Sequence, residues 1–455
     1  MKIEELLTRP EGKTLEFKQD LSSPQSIVKT VLAFANTAGG IIIIGVENNT
    51  KALIGLKDPL EEEERLSNII ADSVEPLLIP DIVIINWEGT TLLAVEVCLS
   101  SSRPHYLKSV GIDGGVYVRV GSTNRVADAA LINELKRTAV KQSFDEEPVP
   151  DLNPEAVDLR VASGLFSGFR QWDQKMGETL NLLVRHQGHL VPSVGGILLF
   201  GKDREQYFPD AWIKCGRFAG NNKANILDQL DIHEHLPLSI EKAFEFVKKH
   251  ASQSAEFGEL QRKDVWNIPL IAVREALINA IVHADYSQSG APIHVAIYDD
   301  RIEIENPGLL TPGLTIEDVR SGVSKLRNRV IGRVFRELNL IEQWGSGFQR
   351  MADSCREMSL PEPTFEEISM RFRVSINLKR IKIDTLLDEK EEMIMQIILE
   401  SEAKGGVSTK EISNKVGISD RAVRTRLSGM LKSGRIVAIS KSAYDPNKRY
   451  LPAKE

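Results

Sequence analysis

The chain has 455 residues, of which 42% are hydrophobic and 27% charged, and its formal net charge is −7. This composition argues against a disordered or membrane protein, and the length predicts about two to four domains with cores of their own. The sequence has no bilayer-length apolar run, no signal-peptide core and only three cysteines, which predicts a cytoplasmic protein without a membrane partner, a disulfide framework or a cysteine zinc site.

Residues 1 to 145 are predicted to form an α/β domain. Its first helix and first buried strand are joined by a turn that contains Gly39 and Gly40, and paired glycines permit a tight turn whose backbone approaches a phosphate. Taken alone, such a turn is more often structural. The sequence pattern predicts a helix over 26–34 and strands over 41–46, 91–97 and 115–120.

Three separated motifs of this domain resemble those of Schlafen-type AlbA-like domains. They are Leu15 to Lys18, the turn and strand from 35 to 46, and Arg119 to Asn124, and the resemblance covers residues 8 to 138. It implies an AlbA-like fold and, as described for bacterial and archaeal members, DNA binding. Few aromatic side chains are available to stack on bases, so contacts to the phosphate backbone are expected. The basic candidates for these contacts are Lys18, Arg119 and Arg125.

The same resemblance implies an alternative function. In some Schlafen proteins this fold carries an acidic trio that cuts RNA with a divalent metal, and Glu11, Glu16 and Glu47 resemble that trio in position. Three convergent carboxylates suit Mg²⁺ or Mn²⁺ and phosphodiester hydrolysis. The competing interpretation is that Glu11 and Glu16 are surface charges and that Glu47 belongs to a turn.

An acidic stretch with three prolines, 144–154, is predicted to be a linker, and residues 155 to 380 form the next predicted region, with a helix over 171–186. Within it, Gly196 to Asp203 nearly matches the phosphate-binding Walker A loop. The apolar residues between the glycines predict a buried strand instead, and Asp203 replaces the Ser or Thr that would hold Mg²⁺. The sequence therefore excludes a P-loop helicase.

A polar stripe follows the helix predicted from Arg274 to Tyr286. Glu275, Asn279 and His283 recur at helical spacing and share one face, while the apolar residues between them pack inward. Burying an acid, an amide and an imidazole together is costly unless they are hydrogen-bonded or face a pocket. In a pocket, Asn279 would supply oxygen to Mg²⁺ and Glu275 would orient or deprotonate a water. On this helix alone, an ordinary half-exposed polar face is an equal alternative.

Two glycine elements favour the pocket. A strand predicted to end at residue 305 is followed by Asn306 and Gly308, where backbone can approach a ligand. Gly345 and Gly347 precede a predicted helix, which suits phosphate bound by backbone N–H groups. In this order the pieces resemble the GHKL-type ATPase fold, in the form found in RecG-like proteins, over residues 265 to 355.

The resemblance implies an α/β sandwich that binds ATP with Mg²⁺ under a lid, formed by the stretch after Gly308, where Arg327 and Arg329 would meet phosphate. GHKL proteins typically read adenine with an Asp-x-Gly-x-Gly motif, whereas this chain has Asn306 at that place, so ATP binding is expected and hydrolysis stays open. Glu275 is the candidate catalytic residue, and Asn279 is the candidate metal ligand. The cofactor-binding candidates are Asn279, His283, Asp285, Asn306, Gly308, Gly345 and Gly347.

Residues 389 to 455 predict a winged helix-turn-helix, whose third helix, 420–432, is capped by Ser419 and would enter the major groove. From Ser408 to Lys454 there are eleven Lys or Arg and three Asp or Glu, a local net charge of +8. This local charge predicts DNA binding, with protein contact or dimerisation as the alternative. The candidate DNA contacts are Arg421, Arg424 and Arg426 on the helix, and Arg435, Lys448 and Arg449 on the wing.

Together these patterns predict a multidomain α/β (α+β) protein with modules at 1–145, 155–380 and 389–455. The predicted function is an ATP-binding, DNA-binding transcriptional regulator, in which nucleotide orders the lid and changes the relative placement of the two nucleic-acid modules. Duplex DNA is the expected partner, with RNA as an alternative, and a two-fold homodimer would suit a winged helix. The alternative class is a metal-dependent nuclease gated by the ATPase-like module.

Overall fold

The structure is a computed structural model. It describes residues 3–48, 50–167, 173–251, 253–257, 262–266, 268–341, 347–378, 389–401, 406–432, 435–439 and 448–452. The chain divides into two compact units, Met1–Arg380 and Ile381–Glu455. None of the helices within the described ranges is both long and apolar enough to cross a bilayer.

The N-terminal domain is built on a four-stranded sheet with apolar side chains on both faces. Its elements are α1 (Ile3–Thr8), β1 (Leu15–Lys18), α2 (Pro24–Thr37), β2 (Gly40–Ile44), α3 (Pro59–Ser73), β3 (Val74–Glu75), β4 (Asp81–Trp87), β5 (Thr90–Val97), β6 (Tyr106–Leu107), α4 (Ile112–Gly115), β7 (Tyr117–Val120), β8 (Thr123–Val126) and α5 (Ala129–Ala139). The sheet order is β1-β2-β5-β4, with β1 parallel to β2. Successive strand residues point to opposite faces, so Ile42 and Ile44 pack with α2 and α3, while Ile43 packs with α1.

The second region of the same unit is built on a six-stranded sheet that carries α11 on one face. Its elements are α6 (Leu159–Phe166), α7 (Gln174–Thr179), β9 (Leu183–His186), β10 (His189–Pro192), α8 (Val194–Phe200), α9 (Arg204–Tyr207), β11 (Ile213–Phe218), β12 (Ile226–Ile232), α10 (Leu236–Lys249), β13 (Gln253–Phe257), β14 (Arg262–Trp266), α11 (Leu270–His283), β15 (Ile293–Ile297), β16 (Arg301–Pro307), α12 (Ile316–Arg320), α13 (Arg329–Glu337), α14 (Gly347–Glu357), β17 (Thr364–Ile368) and β18 (Arg371–Asn377). The sheet order is β12-β11-β15-β16-β18-β17, and only the β11–β15 pair is parallel among these strands. One large core joins this sheet to α8, α10, α11, α13 and α14.

The C-terminal unit has the order of helices and strands predicted for a winged helix-turn-helix. Its elements are α15 (Glu389–Glu400), β19 (Val407–Ser408), α16 (Thr409–Val416), α17 (Asp420–Lys432), β20 (Ile436–Ile439) and β21 (Arg449–Pro452). Ser408 and Glu411 form a capping box at the start of α16, and Gly417, with φ +71°, ends it in the left-handed conformation. Ser419 Oγ accepts a hydrogen bond from the Ala422 N–H at 3.3 Å, as expected for the cap of α17. The predicted multidomain α/β (α+β) fold class is confirmed.

Two predicted elements were wrong. The helix predicted over 171–186 is, within the described residues, the short helix α7 followed by strand β9, because the left-handed Asn181 (φ +58°) ends the helical path. The strand predicted after Gly196 is helix α8, which is buried along its whole length. Ser193 Oγ caps it by accepting from the Gly196 N–H at 2.9 Å. A capped, buried helix leaves no open phosphate loop, so the exclusion of a P-loop holds for a different structural reason.

The segment predicted to be a linker, 144–154, is packed into the first unit. Asp145 is fully buried and accepts hydrogen bonds from the N–H groups of Arg329 (3.0 Å) and Ile331 (2.9 Å) at the start of α13. Burial raises the pKa of the Asp145 carboxyl to about 6. Phe144 packs edge-on against Phe208, with 6.1 Å between ring centroids. The segment therefore ties the N-terminal domain to α13.

Candidate functional site

The polar stripe predicted on one face of a helix lies on α11. The helix is apolar on its remaining faces and packs between α10, α14 and the sheet, so its side chains are largely buried. Glu275 is 7% exposed, and Asn279 and His283 are half-buried one and two turns further along. A helix of this kind can hold three polar groups only where they meet partners or a cavity.

Glu275 has its partner on α14. The Arg350 guanidinium donates to Glu275 Oε1 at 3.0 Å, and this pair links the two helices. A side chain at Gly347 would place its Cβ 3.0 Å from Glu275 Oε2 and 3.8 Å from Asn279 Nδ2. Glycine at this position therefore lets the start of α14 approach the polar stripe.

A cavity of about 330 Å³ lies beside the stripe. Its walls are α11, the end of β16, α14 and the segment between β16 and α13, residues 309–328, which we call the lid segment. Five of the candidate residues line the cavity: Glu275, Asn279, His283, Asn306 and Gly347. Four cations line it as well: Lys325, Arg327, Arg336 and Arg350. The cavity thus brings one acid and two amides together with four cationic side chains. This combination suits an anionic ligand that also carries hydrogen-bonding groups.

His283 is neutral at physiological pH in this setting. Burial, and secondly the nearby Arg327 guanidinium, lower its pKa to about 4. Asn306 is 4% exposed, and its Nδ2 donates to the Pro307 carbonyl at 3.0 Å. Both side chains therefore present neutral hydrogen-bonding groups to the cavity.

Arg327 links the cavity to the N-terminal domain. Its Nη2 donates to the Leu309 carbonyl and forms an ion pair with Glu134 Oε1 of α5 at 2.9 Å. Gly308 has φ +95°, and the Arg327 guanidinium lies in the space that a side chain at 308 would need. Burial raises the pKa of Glu134 to about 7 in spite of this ion pair.

Two cofactor-binding candidates, Asp285 and Gly308, are not among the described residues that line the cavity. Asp285 is 3% exposed and accepts from the Ser287 N–H (3.1 Å), Ser287 Oγ (2.6 Å) and Gln288 Nε2 (3.0 Å), so it stabilises the turn after α11. Gly308 lies behind the Arg327 guanidinium. Gly345 lies outside the described residues.

The lid segment contacts the N-terminal domain at two further points. The Gly313 N–H donates to the Thr37 carbonyl at 2.7 Å, in the glycine-rich turn after α2. Glu367 on β17 accepts from the Leu310 N–H at 2.8 Å and pairs with Lys13 of the N-terminal domain at 2.7 Å. A change in the position of the lid segment would therefore alter its contacts with the N-terminal domain.

Glu11, Glu16 and Glu47 each have a hydrogen-bond or ion-pair partner inside the N-terminal domain. Glu16 is paired with the cations Arg119 and Lys18, Glu11 accepts from the Phe17 N–H, and Glu47 accepts from Thr50. Within the described ranges no cluster of three or more His, Cys, Asp or Glu is placed to hold a metal ion.

The three basic candidates of the N-terminal domain lie in different environments. Arg119 is 1% exposed, and its guanidinium donates to the Gly12 carbonyl, Asn124 Oδ1 and Glu16. This candidate nucleic-acid contact is therefore buried, and its side chain holds the domain together. Lys18 is partly buried in its pair with Glu16, whereas Arg125 is exposed on β8.

The glycine-rich turn after α2 has a structural role in this domain. Asn36 is buried, and its Nδ2 donates to the carbonyls of His105 (2.8 Å) and Tyr117 (2.9 Å). Thr37 Oγ1 accepts from the Arg119 N–H at 2.8 Å. The turn therefore fixes the β7–β8 hairpin against α2, and the same residue Thr37 binds the lid segment through its carbonyl.

In the C-terminal unit, Arg421 and Arg424 are exposed on α17, and Arg426 is half-buried and donates to the Ala422 carbonyl at 3.2 Å. Lys448 and Arg449 lie at the start of β21, and Arg435 precedes β20. Residues 440–447, between these strands, lie outside the described ranges. α17 thus presents two arginines to solvent on the helix predicted to read DNA.

Three regions of the chain match known families. Residues 11–128 match the family "Schlafen, AlbA_2", residues 290–376 match "Putative ATP-dependent DNA helicase recG C-terminal", and residues 387–437 match "Winged helix-turn-helix DNA-binding". The chain is therefore a multidomain protein of nucleic-acid-binding and ATPase-like modules. In particular, it joins a Schlafen AlbA_2 domain, a RecG C-terminal-type module and a C-terminal winged helix, as the sequence motifs predicted.

One curated protein and two solved structures are similar to this chain over different shares of its length. An "Uncharacterized ATP-binding protein" of Ureaplasma parvum serovar 3 is 31% identical over 94 residues, a match that spans 20% of this chain and 25% of that protein. The crystal structure of the DIP2311 protein from Corynebacterium diphtheriae is similar at 20% identity and a TM-score of 0.42, over 99% of this chain and 96% of that one. The solution structure of the N-terminal domain of a "Putative ATP-dependent DNA Helicase RecG-related Protein" from Nitrosomonas europaea is 30% identical, with a TM-score of 0.23, over 27% of this chain and 88% of that one.

Two residues of the site were missed by the sequence analysis. Arg350, which binds Glu275, lies three residues after Gly347, one helical turn along α14, and this spacing was the available signal. Glu134, which pairs with Arg327, is separated from it by nearly two hundred residues, and no local pattern indicates such a pair.

Proposed function

We propose that the protein is an ATP-binding, DNA-binding regulator of transcription, in which nucleotide bound beside α11 modulates nucleic-acid binding. The second region of the first unit would act as a GHKL-type module. The observation that carries the proposal is the cavity itself, because Glu275, Asn279, Asn306 and Gly347 meet there under a cationic lid segment. An acid and amides beside four cations fit a triphosphate and its base.

A magnesium ion fits this donor set. Mg²⁺ in nucleotide sites takes one or two protein oxygens and completes its shell with phosphates and waters, so a cluster of three protein ligands is not required. Glu275 and Asn279, one helical turn apart on the cavity wall, would provide those oxygens. The ion would neutralise phosphate charge, while Arg350 keeps the Glu275 carboxylate oriented toward α14.

Nucleotide would act on nucleic-acid binding through the lid segment. Arg327 lines the cavity and is also paired with Glu134, and Gly313 is hydrogen-bonded to Thr37. A phosphate that binds Arg327 competes with Glu134 for the same guanidinium, which changes the contact between the lid segment and the N-terminal domain. Nucleotide shifts this equilibrium only by its difference in affinity for the two arrangements.

The test is DNA binding by the full chain with and without ATP and Mg²⁺. Fluorescence anisotropy of a labelled duplex gives the DNA affinity, and competition with a fluorescent ATP analogue gives nucleotide affinity in the same samples. The informative variant is Asn279→Ala, and its matched control is Gln349→Ala, an exposed amide on α14 away from the cavity.

We expect ATP to change the DNA affinity of the wild type and of Gln349→Ala, and to leave that of Asn279→Ala unchanged. Loss of one charge-assisted or metal contact weakens ATP binding by about tenfold or more. If ATP binds the wild type and its DNA affinity stays the same, nucleotide modulation is excluded. If no ATP binds, the GHKL-type assignment is excluded as well.

A further inference from the structure

A second cavity lies where the N-terminal domain meets the lid segment and the start of α13. It has a volume of about 360 Å³, and we call it the junction cavity. Its basic lining residues are Arg103, Arg137, Lys141, Lys325, Arg327 and Arg329. Among the described residues, only two acids line it, Glu134 and Asp285. The cavity therefore carries an excess of positive charge in a chain whose net charge is −7.

The acids of this cavity are already engaged. Asp285 accepts hydrogen bonds from Ser287 and Gln288, and Glu134 is paired with Arg327. Among the described residues, Arg103, Lys141 and Lys325 have no carboxylate as an ion-pair partner. Arg103 donates through Nη1 to the Ser100 carbonyl, and Lys325 donates to the Pro312 carbonyl at 2.8 Å.

Two of the guanidinium groups are buried with unpartnered N–H groups. Arg103 and Arg327 are each 8% exposed. Within the described part of the chain, Arg103 Nε and Arg327 Nε and Nη1 have no acceptor. Buried N–H groups in native proteins almost always have an acceptor, from the protein, from water or from a ligand. A charged donor strongly favours an anionic acceptor such as a phosphate oxygen.

The charges around Lys325 also favour an anion in the junction cavity. Burial, and then the neighbouring Arg103 and Arg329, lower the pKa of Lys325, whereas Glu134 acts in the opposite direction. Like charges that depress the pKa of a lysine are repelling one another across the cavity. An anion placed between them would relieve that repulsion.

We propose that the junction cavity is a binding site for a small phosphorylated ligand, whose phosphate is held by Arg103, Lys325 and Arg327. The site is distinct from the 330 Å³ cavity beside α11, which we call the nucleotide cavity, because Arg103 and Lys141 line the junction cavity and do not line that one. Its volume is at the lower end of the range for small-molecule pockets, which fits a phosphate, a pyrophosphate or a nucleotide-sized metabolite and is too small for a duplex. Lys325 and Arg327 line both cavities, so occupancy of one affects the other.

The test is isothermal titration calorimetry of the full chain, without nucleotide, against inorganic phosphate and against pyrophosphate, with sodium chloride at matched ionic strength as the reference. We expect saturable binding of at least one of the two anions. Tighter binding of pyrophosphate identifies a ligand with two or more phosphates, and equal binding identifies a single phosphate as the recognised group.

Three variants locate the site. Arg103→Gln removes a buried donor, and we expect it to weaken binding at least about tenfold. Lys141→Gln removes an exposed cation at the rim, so it leaves the fold intact and weakens binding by a smaller factor. Lys136→Gln, on the exposed side of α5 and outside the cavity, is the control and should bind as the wild type does.

Two results would overturn the proposal. One is the absence of saturable binding. The other is binding that both Arg103→Gln and Lys141→Gln leave unchanged, and if Asn279→Ala removes that binding, the anion occupies the nucleotide cavity instead. Should Arg103→Gln fail to fold, Lys141→Gln decides alone. These outcomes are independent of whether ATP alters DNA affinity.

Discussion

Arg119 carries a buried charge within the N-terminal domain. Its guanidinium is 1% exposed and is held by a carboxylate, a side-chain amide and a backbone carbonyl. Replacing one member of a buried ion pair leaves the other charge without full compensation, which costs about 3–5 kcal/mol in measured cases. Lys18 still pairs with Glu16 in this domain, so the loss should lie at the lower end of that range.

We therefore predict that Arg119→Met lowers the free energy of unfolding of the first unit by about 3 kcal/mol. Urea denaturation followed by tryptophan fluorescence measures this unit selectively, because all five tryptophans precede residue 381. The control is Arg125→Met in the same hairpin, where the arginine is exposed and a change within about 0.5 kcal/mol is expected. Equal effects of the two variants would show that burial of Arg119 is not what stabilises the hairpin.

At the scale of elements, the contact between α5 and the lid segment predicts a pH effect. Burial raises the pKa of Glu134 from its ordinary 4.5 to about 7. The folded state therefore binds this proton more tightly than the unfolded state does. The resulting stabilisation is fully present below about pH 4.5 and is lost as the pH rises through about 7. Glu134→Gln cannot ionise at this position, so it lacks this contribution to the pH dependence of the free energy of unfolding.

We expect the free energy of unfolding of the wild type, relative to Glu134→Gln, to decrease between about pH 5 and pH 7. The comparison with the variant is needed because His283 acts in the opposite direction. Its pKa is lowered to about 4, so its contribution is present above the ordinary pKa of 6.5 and is lost as the pH falls. The measurement is the same tryptophan-detected urea titration at several pH values. A difference that is constant with pH would mean that Glu134 is ionised throughout.

The polar stripe of α11 could be predicted from the sequence, whereas its partners could not. Glu275, Asn279 and His283 follow from helical periodicity, which is a local property of the chain. Arg350 and Glu134 come from distant elements, and their positions depend on how those elements pack. For Arg350 the sequence offered only its spacing of three residues from Gly347, and for Glu134 it offered no pattern.

The error at α8 has a physical cause, which is that full burial removes the apolar periodicity that distinguishes a helix from a strand. The residues of α8 are uniformly apolar, and an apolar run without periodicity fits a buried strand and a buried helix equally well. The burial of Arg119 could not be predicted from the local sequence either, because its partner Glu16 lies 103 residues earlier in the chain.

At the scale of the whole molecule, a chain of net charge −7 must concentrate positive charge where it meets DNA. The C-terminal unit does so, with Arg421 and Arg424 exposed on α17. Each phosphate contact made by a cation releases counterions from the duplex, so the logarithm of the affinity falls with the logarithm of the salt concentration by about 0.9 per contact. The slope of the logarithm of affinity against the logarithm of salt concentration, here called the salt slope, therefore gives the number of cations that contact DNA phosphates.

We predict that the double variant Arg421→Gln/Arg424→Gln weakens duplex binding and reduces the salt slope by about 2, one contact for each arginine. The charge-preserving variant Arg421→Lys/Arg424→Lys should keep the slope, because lysine also binds phosphate as a point charge. The measurement is the affinity for duplex DNA, determined by anisotropy over a series of salt concentrations without nucleotide. It gives the salt slope of each variant. An unchanged salt slope in the Gln variant would mean that α17 does not face the phosphate backbone. The chain would then bind DNA through another surface, and the exposed Arg125 of the N-terminal domain would be the first position to test.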